Sequence, residues 1–326
     1  MAEDSPVVSV VIIFLDPGAE FLREAIASVQ GQTFRDWELL LVDDGSTDDS
    51  TALARALAAA EPARIRYLEH PGHANRGMSA SRNRGIEAAR GRYLAFLDAD
   101  DVYLPERLEH HVDILERHRE VALVFGRHEL WFSWQAGTNA LDRTLELGFE
   151  PERVFEPPIV LLTLLRTSGR YNPGICTQTV RREAALAVGG FEAEFRGSHE
   201  DQVFMAKIFS RYPAFVTDRV DSRYRQHAGS HTAISAQPVS AIEGHPNTVR
   251  ERYFRWLRDY LESEGLMQPA LRRILILKLL PFEHRFLYAV IGMPLITMAR
   301  RVGQLKRELS HRLGHFRQLA TFSSRS

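Results

Sequence analysis

Cysteine is almost absent from this chain: Cys176 is its one thiol in 326 residues. No intrachain disulfide can therefore staple the fold, and a reducing compartment is the expected setting. Cys176 itself reads most simply as a small buried hydrophobe. Long hydrophobic runs are missing too. The apolar stretches at 271–280 and 286–298 are interrupted or bounded by Lys278, Glu283, His284 and Arg285, and each falls short of the ~20 residues that span a bilayer. The start carries Glu3 and Asp4 where a secretory leader would carry Lys or Arg, so no export signal is expected. Internal repeats and low-complexity tracts are likewise lacking. The formal net charge is only -1, but it is unevenly spread: residues 250–326 hold 15 Lys/Arg against 6 Asp/Glu, leaving 26 against 36 for the rest. A basic tail on an acidic body favours anionic lipid headgroups, nucleic acid or an acidic protein, and charge alone does not choose among them.

What is present is an alternation of apolar strands and helical segments in a composition ordinary for a globular enzyme or binder, 44% hydrophobic and 25% charged. Residues 7–14 form a β-branched run suited to a buried parallel strand, and 21–29 follow with Leu22, Ile26 and Val29 at helical spacing. The unit recurs. Residues 37–42 predict a second strand, 43–47 a turn, and 48–60 an Ala-rich helix that Thr47 or Asp48 would cap. A short strand at 65–68, a helix over 78–89 and a strand over 93–97 follow. Beyond them the pattern predicts a helix at 105–119, a strand at 121–125, a polar irregular stretch at 131–158, a strand at 175–180, and helices at 181–190 and 200–211. Such alternation implies an α/β fold with a doubly wound, mainly parallel sheet, whose ligands gather beyond the carboxyl ends of the strands. The composition loosens at 235–247. We therefore expect a catalytic domain over 1–240, with a donor half to about 130 and an acceptor half after it, and a basic helical region over 241–326.

Acidic residues occupy the expected strand ends. Asp98, Asp100 and Asp101 follow the strand at 93–97, where a hard divalent cation would find oxygen ligands; by itself the string reads more simply as a solvated acidic turn. Asp43 and Asp44, ahead of Gly45 and Ser46, close another strand of the same sheet. Two carboxylate groups at one rim require a cation or hydrogen-bond donors to relieve their repulsion, although a turn-forming Asp-Gly pair accounts for them as well. Glu200 and Asp201 head the helix at 200–211, a position that the helix dipole alone would favour.

Five blocks in order carry a resemblance: residues 8–13, Gln32-Thr33-Phe34, Val42-Asp43-Asp44-Gly45-Ser46-Thr47-Asp48, Ser81-Arg82-Asn83-Arg84-Gly85 and Phe96-Leu97-Asp98-Ala99-Asp100-Asp101. Together they resemble the family 2 glycosyltransferases of the GT-A fold, over residues 7–230. The resemblance implies a nucleotide-diphosphate sugar donor, Mg2+ or Mn2+, and inversion at the anomeric carbon. By position it implies that Asp44 contacts the base, Asp98 the ribose or the metal, and Asp100 the metal and diphosphate, with Asp43, Arg82 and Asn83 on the donor side. Ile13 and Leu15 would line the base pocket. The chain reads Phe14-Leu15-Asp16 where the family usually has a polar residue or an aromatic followed by Asn, so stacking on the base falls to Phe14 or weakens. An inverting transfer needs a carboxylate to take the acceptor's proton. The resemblance assigns this to the Glu200-Asp201 pair, with Asp201 as the base, preceded by the turn Gly189-Gly190-Phe191. His227, in Tyr224-Arg225-Gln226-His227, falls where relatives carry a histidine near the diphosphate or metal.

Other features leave alternatives open. Trp131 and Trp134 would stack on an acceptor sugar or pack in the core, and the loop at 69–78 borders the donor pocket or is a plain connection. The expected acceptor is a glycan or a lipid-linked polysaccharide precursor; no nucleic-acid partner is expected. Arg272, Arg273, Arg300, Arg301, Lys306 and Arg307 suit helices lying on an anionic membrane face. The alternative is a helical subdomain packed on the catalytic domain or on a second copy. The expected location is the cytoplasm, at or near the inner face of the membrane. Two rival functions stand beside glycosyl transfer. One is an inactive sugar-nucleotide binder or assembly protein, against which intact Asp98, Asp100 and Asp201 argue. The other is a nucleotidyltransferase, for which the chain lacks a Lys/Arg- and Gly-rich first loop.

Overall fold

Seven consecutive buried residues can be satisfied only by a strand covered on both faces, and β1 (Val8–Phe14) is such a strand. The computed structural model of the chain describes residues 5–168, 171–230, 233 and 246–284. After β1 come α1 (Ala19–Gln30), β2 (Trp37–Asp43), α2 (Ser50–Ala60), β3 (Ile65–Glu69), α3 (Met78–Ala88) and β4 (Tyr93–Asp98). Here β1 pairs in parallel with both β2 and β4, and β2 with β3, so the expected parallel half is present. The N-cap of α2 is Asp49 rather than the expected Thr47 or Asp48, although Asp48 Oδ1 accepts the Ser50 N–H at 3.0 Å from one residue earlier.

The second half is mixed. It comprises β5 (Val102–Tyr103), α4 (Arg107–Arg117), β6 (Leu123–Trp131), β7 (Arg143–Thr144), β8 (Arg153–Phe155), α5 (Ile159–Arg166), β9 (Gln178–Arg181), α6 (Arg182–Ala187), α7 (Glu200–Arg211) and β10 (Ala214–Arg225). The sheet runs β3-β2-β1-β4-β9-β6-β10-β5, with β7 on β6 and β8 on β10. Strand β9 is antiparallel to both neighbours, whereas β10 runs parallel to β6. The strand expected at 175–180 begins as a 3-10 turn, Ile175–Thr177, because the Gly174 carbonyl accepts both the Thr177 N–H and its hydroxyl. The strand expected at 121–125 instead continues to Trp131. Both α5 and β10 fall in stretches whose sequence predicted no element.

Helices α8 (Pro246–Ser263) and α9 (Pro269–Glu283) are the described part of the expected C-terminal region. Leu257, Leu261, Leu271, Leu275 and Leu279 bury them in the same core as α5 and α7, so this part packs on the acceptor half. Ile276 and Leu277 face outward. No helix among the described residues is long and apolar enough to cross a membrane. The expected boundary near 240, the stretch at 286–298, and Arg300, Arg301, Lys306 and Arg307 lie outside the described residues.

Helix α3 approaches β1 so closely that a Cβ on Gly85 would lie 2.4 Å from Val11 Cγ1. Gly85→Ala is therefore expected to cost about 1–3 kcal/mol by overpacking. Urea unfolding would measure it, and adding Val11→Ala should return part of the loss; an unchanged midpoint would contradict this packing.

Candidate active site at the strand ends

The register of the parallel half brings the sequence-predicted donor residues to one rim. Ile13 lies opposite Asp98, and Phe14 opposite Asp43. Ile13 and Phe14 are both buried, on opposite faces of the sheet. At 3% exposure Phe14 belongs to the core, so the expected stacking on a base does not fall to it; Leu15, 46% exposed, is the apolar group that this loop presents.

The two aspartates that end β2 do different work. Asp43 is buried; its Oδ1 accepts the Gly45 and Ser46 N–H groups, and its Oδ2 accepts the Thr51 and Tyr67 hydroxyls. It shapes the turn on which Asp44 stands. Asp44 accepts from the Arg76 and Gly77 N–H groups at 2.7 and 2.9 Å, clamping the 70–77 loop over the strand end. Gly45, at φ +91°, allows this approach, since a Cβ there would meet the Asn75 nitrogen and His73 carbonyl at 2.9 Å. Across the rim, Asp16 accepts the Thr47 and Asp48 N–H groups, tying the β1 loop to the same turn. The residue that departs from the family pattern thus has a structural task.

Beyond β4 the chain turns tightly, with the Asp101 N–H donating to the Asp98 carbonyl. Arg225, at the end of β10, holds this turn: its Nε donates to the Asp100 carbonyl at 2.7 Å, its backbone N–H to Asp101 Oδ1 at 2.9 Å, and its Nη2 to Glu24. Its guanidinium carbon lies 4.4, 4.5 and 5.1 Å from the ring centres of Trp131, Phe21 and Trp134. These contacts place the two tryptophans in a cation–π cage. Burial pushes the Asp101 carboxyl well above its ordinary range, and Asp100 and Asp98 add to the shift.

His227 Nε2 stands 2.9 Å from Asp100 Oδ2, with its ring edge-on to Phe21. A carboxylate and an imidazole converge there, and Asp98 lies on the same turn. This is a donor set suited to Mg2+ or Mn2+, ions that take one or two carboxylates from the protein and complete their shells with phosphate and water. Among the described residues no group of three or more His, Cys, Asp or Glu is drawn together around a cation position. Any cation here would depend on ligands beyond the described residues.

Arg82 of α3 connects the two halves. Its Nη2 donates to Asp98 Oδ1 at 2.7 Å and its Nη1 to Glu200 Oε1 at 3.1 Å, all three groups being buried or half-buried. Burial pushes the Asp98 carboxyl up and Arg82 opposes it. Asn83 does not join this cluster. Its amide donates to the Phe191 carbonyl and accepts the Phe191 N–H, at 2.8 and 2.7 Å, holding the Gly189-Gly190-Phe191 turn in place. Asp201, next to Glu200 at the start of α7, is raised to about 7 by burial and by the charge of Glu200, against the pull of Arg82.

The structure therefore assembles Arg82, Asp98, Glu200 and Asp201 in one cluster and Asp100 with His227 beside it, while Asp43, Asn83 and Phe14 support the surrounding backbone and core. Arg225, Glu24 and Phe21 were not anticipated. Their only sequence signal was the position of Arg225 two residues before His227.

Residues 9–161 match the family model described as Glycosyl transferase family 2. The O-antigen biosynthesis protein RfbC of Myxococcus xanthus is 28% identical over 300 residues, 90% of this chain but 20% of that protein. The chain spans between 17% and 41% of the length of the first curated relatives that it matches. Among solved structures, S. aureus TarS 1-349 in complex with UDP-GlcNAc superposes with a TM-score of 0.63 at 18% identity, covering 87% of this chain and 75% of that one. The mannosyltransferase PcManGT from Pyrobaculum calidifontis, solved with GDP-Man and Mn2+, gives 0.50 at 17% identity, covering 83% and 68%.

Replacing Arg82 by Ala would leave Asp98 and Glu200 without their shared cation. A loss of roughly 3–5 kcal/mol is expected in denaturant titrations. Burial already raises the Asp98 carboxyl, and loss of Arg82 raises it further, so the deficit should be largest at neutral pH and shrink toward acid as the carboxyls become neutral. A deficit that does not change with pH would refute the charge argument.

Proposed function

Because this chain carries a family 2 glycosyltransferase domain on a GT-A fold, we propose that it transfers a sugar from a nucleotide-diphosphate sugar to an acceptor hydroxyl, with inversion and with Asp201 as the base. The observation that carries this reading is the Arg82 bridge, which holds the donor-side Asp98 and the Glu200 neighbour of Asp201 on one guanidinium. The two chemical tasks thereby share one cleft. Asp44, Leu15 and Ile13 lie on the base side, and Asp98 and Asp100 on the diphosphate side. The carboxylate of Asp201 takes the acceptor proton as its oxygen bonds to the anomeric carbon, and the bond from that carbon to the diphosphate oxygen breaks with its electron pair leaving on the nucleoside diphosphate. A base is most useful when its pKa lies near the working pH, and burial beside Glu200 brings Asp201 there. Asp98, Asp100 and His227 would hold Mg2+ or Mn2+, which would neutralise the departing diphosphate. That relatives are solved with UDP-GlcNAc, and with GDP-Man and Mn2+, supports a donor and a cation of these classes without naming which.

The test is nucleoside-diphosphate release from a panel of nucleotide sugars with Mn2+. Release should be abolished by EDTA and nearly so by Asp100→Ala, whereas Asp201→Asn should lower transfer by about 10²–10⁴-fold while sparing donor binding in calorimetry. Full activity in EDTA would sink the metal assignment. Since the base acts deprotonated and its pKa is raised to about 7, kcat/KM should climb with pH through that value and then level. A profile already flat from pH 5 would remove Asp201 from the role.

A further inference from the structure

The segment that carries His227 is strapped to the loop after β6. Gln226, the residue before it, donates its backbone N–H to the Trp131 carbonyl at 3.0 Å, and its own carbonyl accepts the Trp134 indole N–H, also at 3.0 Å. Both backbone polar groups of one residue are engaged by one neighbouring loop, so residues 225–227 have little freedom to slide along it. His227 is then boxed from the side. The Phe21 ring stands edge-on to it with centres 5.2 Å apart and edge-on to Trp134 at 5.4 Å, and Trp134 meets His227 edge-on at 6.4 Å. Rings packed in this way fix one another's orientation.

Arg225 couples the strap to the acidic turn. Its Nε holds the Asp100 carbonyl and its Nη2 reaches Glu24 of α1, while the rings of Phe21, Trp131 and Trp134 surround its guanidinium carbon. A guanidinium two residues from His227 invites the reading of a diphosphate ligand. Burial opposes it: the side chain is only 2% exposed and these donors are already taken. What the bonds do produce is one contact between side chains 127 positions apart, His227 Nε2 on Asp100 Oδ2 at 2.9 Å. With the carboxylate as acceptor, Nε2 carries the proton.

We propose that Trp134 and Arg225 are positioning residues for the diphosphate side of the site: they touch neither donor nor cation, and through Gln226 and the Asp100 carbonyl they set Asp100 and His227 against each other. The use of that pair in transfer rests on the transferase reading; the positioning does not. Side chains that act on a ligand need supporting groups that lock their rotamers, and the strap and the cage are that support. Trp134 is thereby withdrawn from the acceptor. Its N–H serves Gln226, and its ring is shared with Phe21, His227 and the Arg225 guanidinium.

Three variants loosen this support while leaving the side chains of Asp100 and His227 in place. Trp134→Phe removes the N–H donor and keeps a ring, Glu24→Gln weakens the outer hold on Arg225, and Arg225→Lys keeps the charge without the planar fork. Nitrogen-15 NMR of the His227 imidazole in the full chain, with no ligand added, reads the pair; the Mn2+ concentration that half-activates nucleoside-diphosphate release reads its use. In variants that melt like the unaltered chain, the Nε2 resonance should lose its hydrogen-bonded shift. Half-activation should need about tenfold more Mn2+ for Arg225→Lys and about threefold more for Trp134→Phe, with kcat little changed. A purely structural role would lower the melting temperature and leave the Mn2+ requirement of the folded fraction as it was. Trp134 is half-buried and Glu24 exposed, so their variants decide the matter if Arg225→Lys does not fold. An unmoved Nε2 resonance in the folded variants would overturn the positioning, and a lost pair with an unchanged Mn2+ requirement would overturn its link to the reaction. A change confined to the acceptor KM of Trp134→Phe would return that residue to sugar stacking. If the unaltered chain releases no nucleoside diphosphate, the transferase reading fails alone and the resonance still decides the positioning.

Discussion

The buried guanidinium of Arg82 is the constraint around which the site is arranged. Taking a cation out of water is costly unless its donors are matched by acceptors of fixed geometry, and here the match is made by carboxylates from two distant parts of the chain, Asp98 and Glu200. Neither partner can move alone. The planar fork of an arginine can address two carboxylates at once, which a lysine ammonium on a flexible stem does less well. The next residue, Asn83, reinforces the arrangement by binding both backbone polar groups of Phe191, whose ring lies 5.4 Å from the Arg82 guanidinium carbon. Helix α3 thus joins the end of β4 to the start of α7 through two adjacent side chains.

A second arginine solves a related problem on the other flank. Asp98, Asp100 and Asp101 crowd three carboxyls into one turn, and burial drives Asp98 and Asp101 toward the neutral form. Arg225 answers with directional bonds to the turn's backbone and to Asp101, while its own charge is spread over Glu24 and three aromatic faces. The turn is therefore held open by the protein itself, and Asp100 remains turned toward His227. A rim whose backbone is pre-shaped by its own hydrogen bonds loses less conformational entropy on binding any ligand.

How far the sequence could be read follows from where its polar residues are buried. Strands β1, β2 and β4 were legible because they are near-continuous apolar runs, the signature of parallel strands covered on both faces. Strand β10 was not. Its interior carries Thr217, Asp221, Ser222 and Arg225, all buried, which mimic a polar loop until their partners are known: His111 and Arg219 for Asp221, Glu152 for Thr217, the acidic turn for Arg225. Helix α5 was hidden for the opposite reason, since Ile-Val-Leu-Leu-Thr-Leu-Leu-Arg is apolar nearly all round and shows little periodicity. At the site, Asp98, Asp100, Asp201 and His227 could be named from type and spacing, but the cage around Arg225 could not, because it joins residues about 200 positions apart. The same limit applies to Phe14, whose side of the sheet is set by pleat and register rather than by residue type.

These features divide the chain by task. The rim that faces the expected donor is built almost entirely within residues 9–161, the part that matches the family model. The space beside Asp201 is walled instead by α5, α7 and α8, most of which lie beyond that stretch. Donor recognition needs a fixed constellation of carboxylates and backbone donors at strand ends, which tolerates little change in geometry. The walls beside Asp201 carry no such constellation and are free to differ in shape and charge. The C-terminal helices are thus more than an appendage: burying Leu257, Leu261, Leu271, Leu275 and Leu279 in the common core fixes Tyr253 against His199 at the start of α7 and Lys278 against Ser168 beyond α5. Any change that loosens α8 and α9 from α5 and α7 would reach the Glu200 arm of the Arg82 bridge through α7 and leave the Asp98 arm standing, because that arm is anchored in α3 and β4.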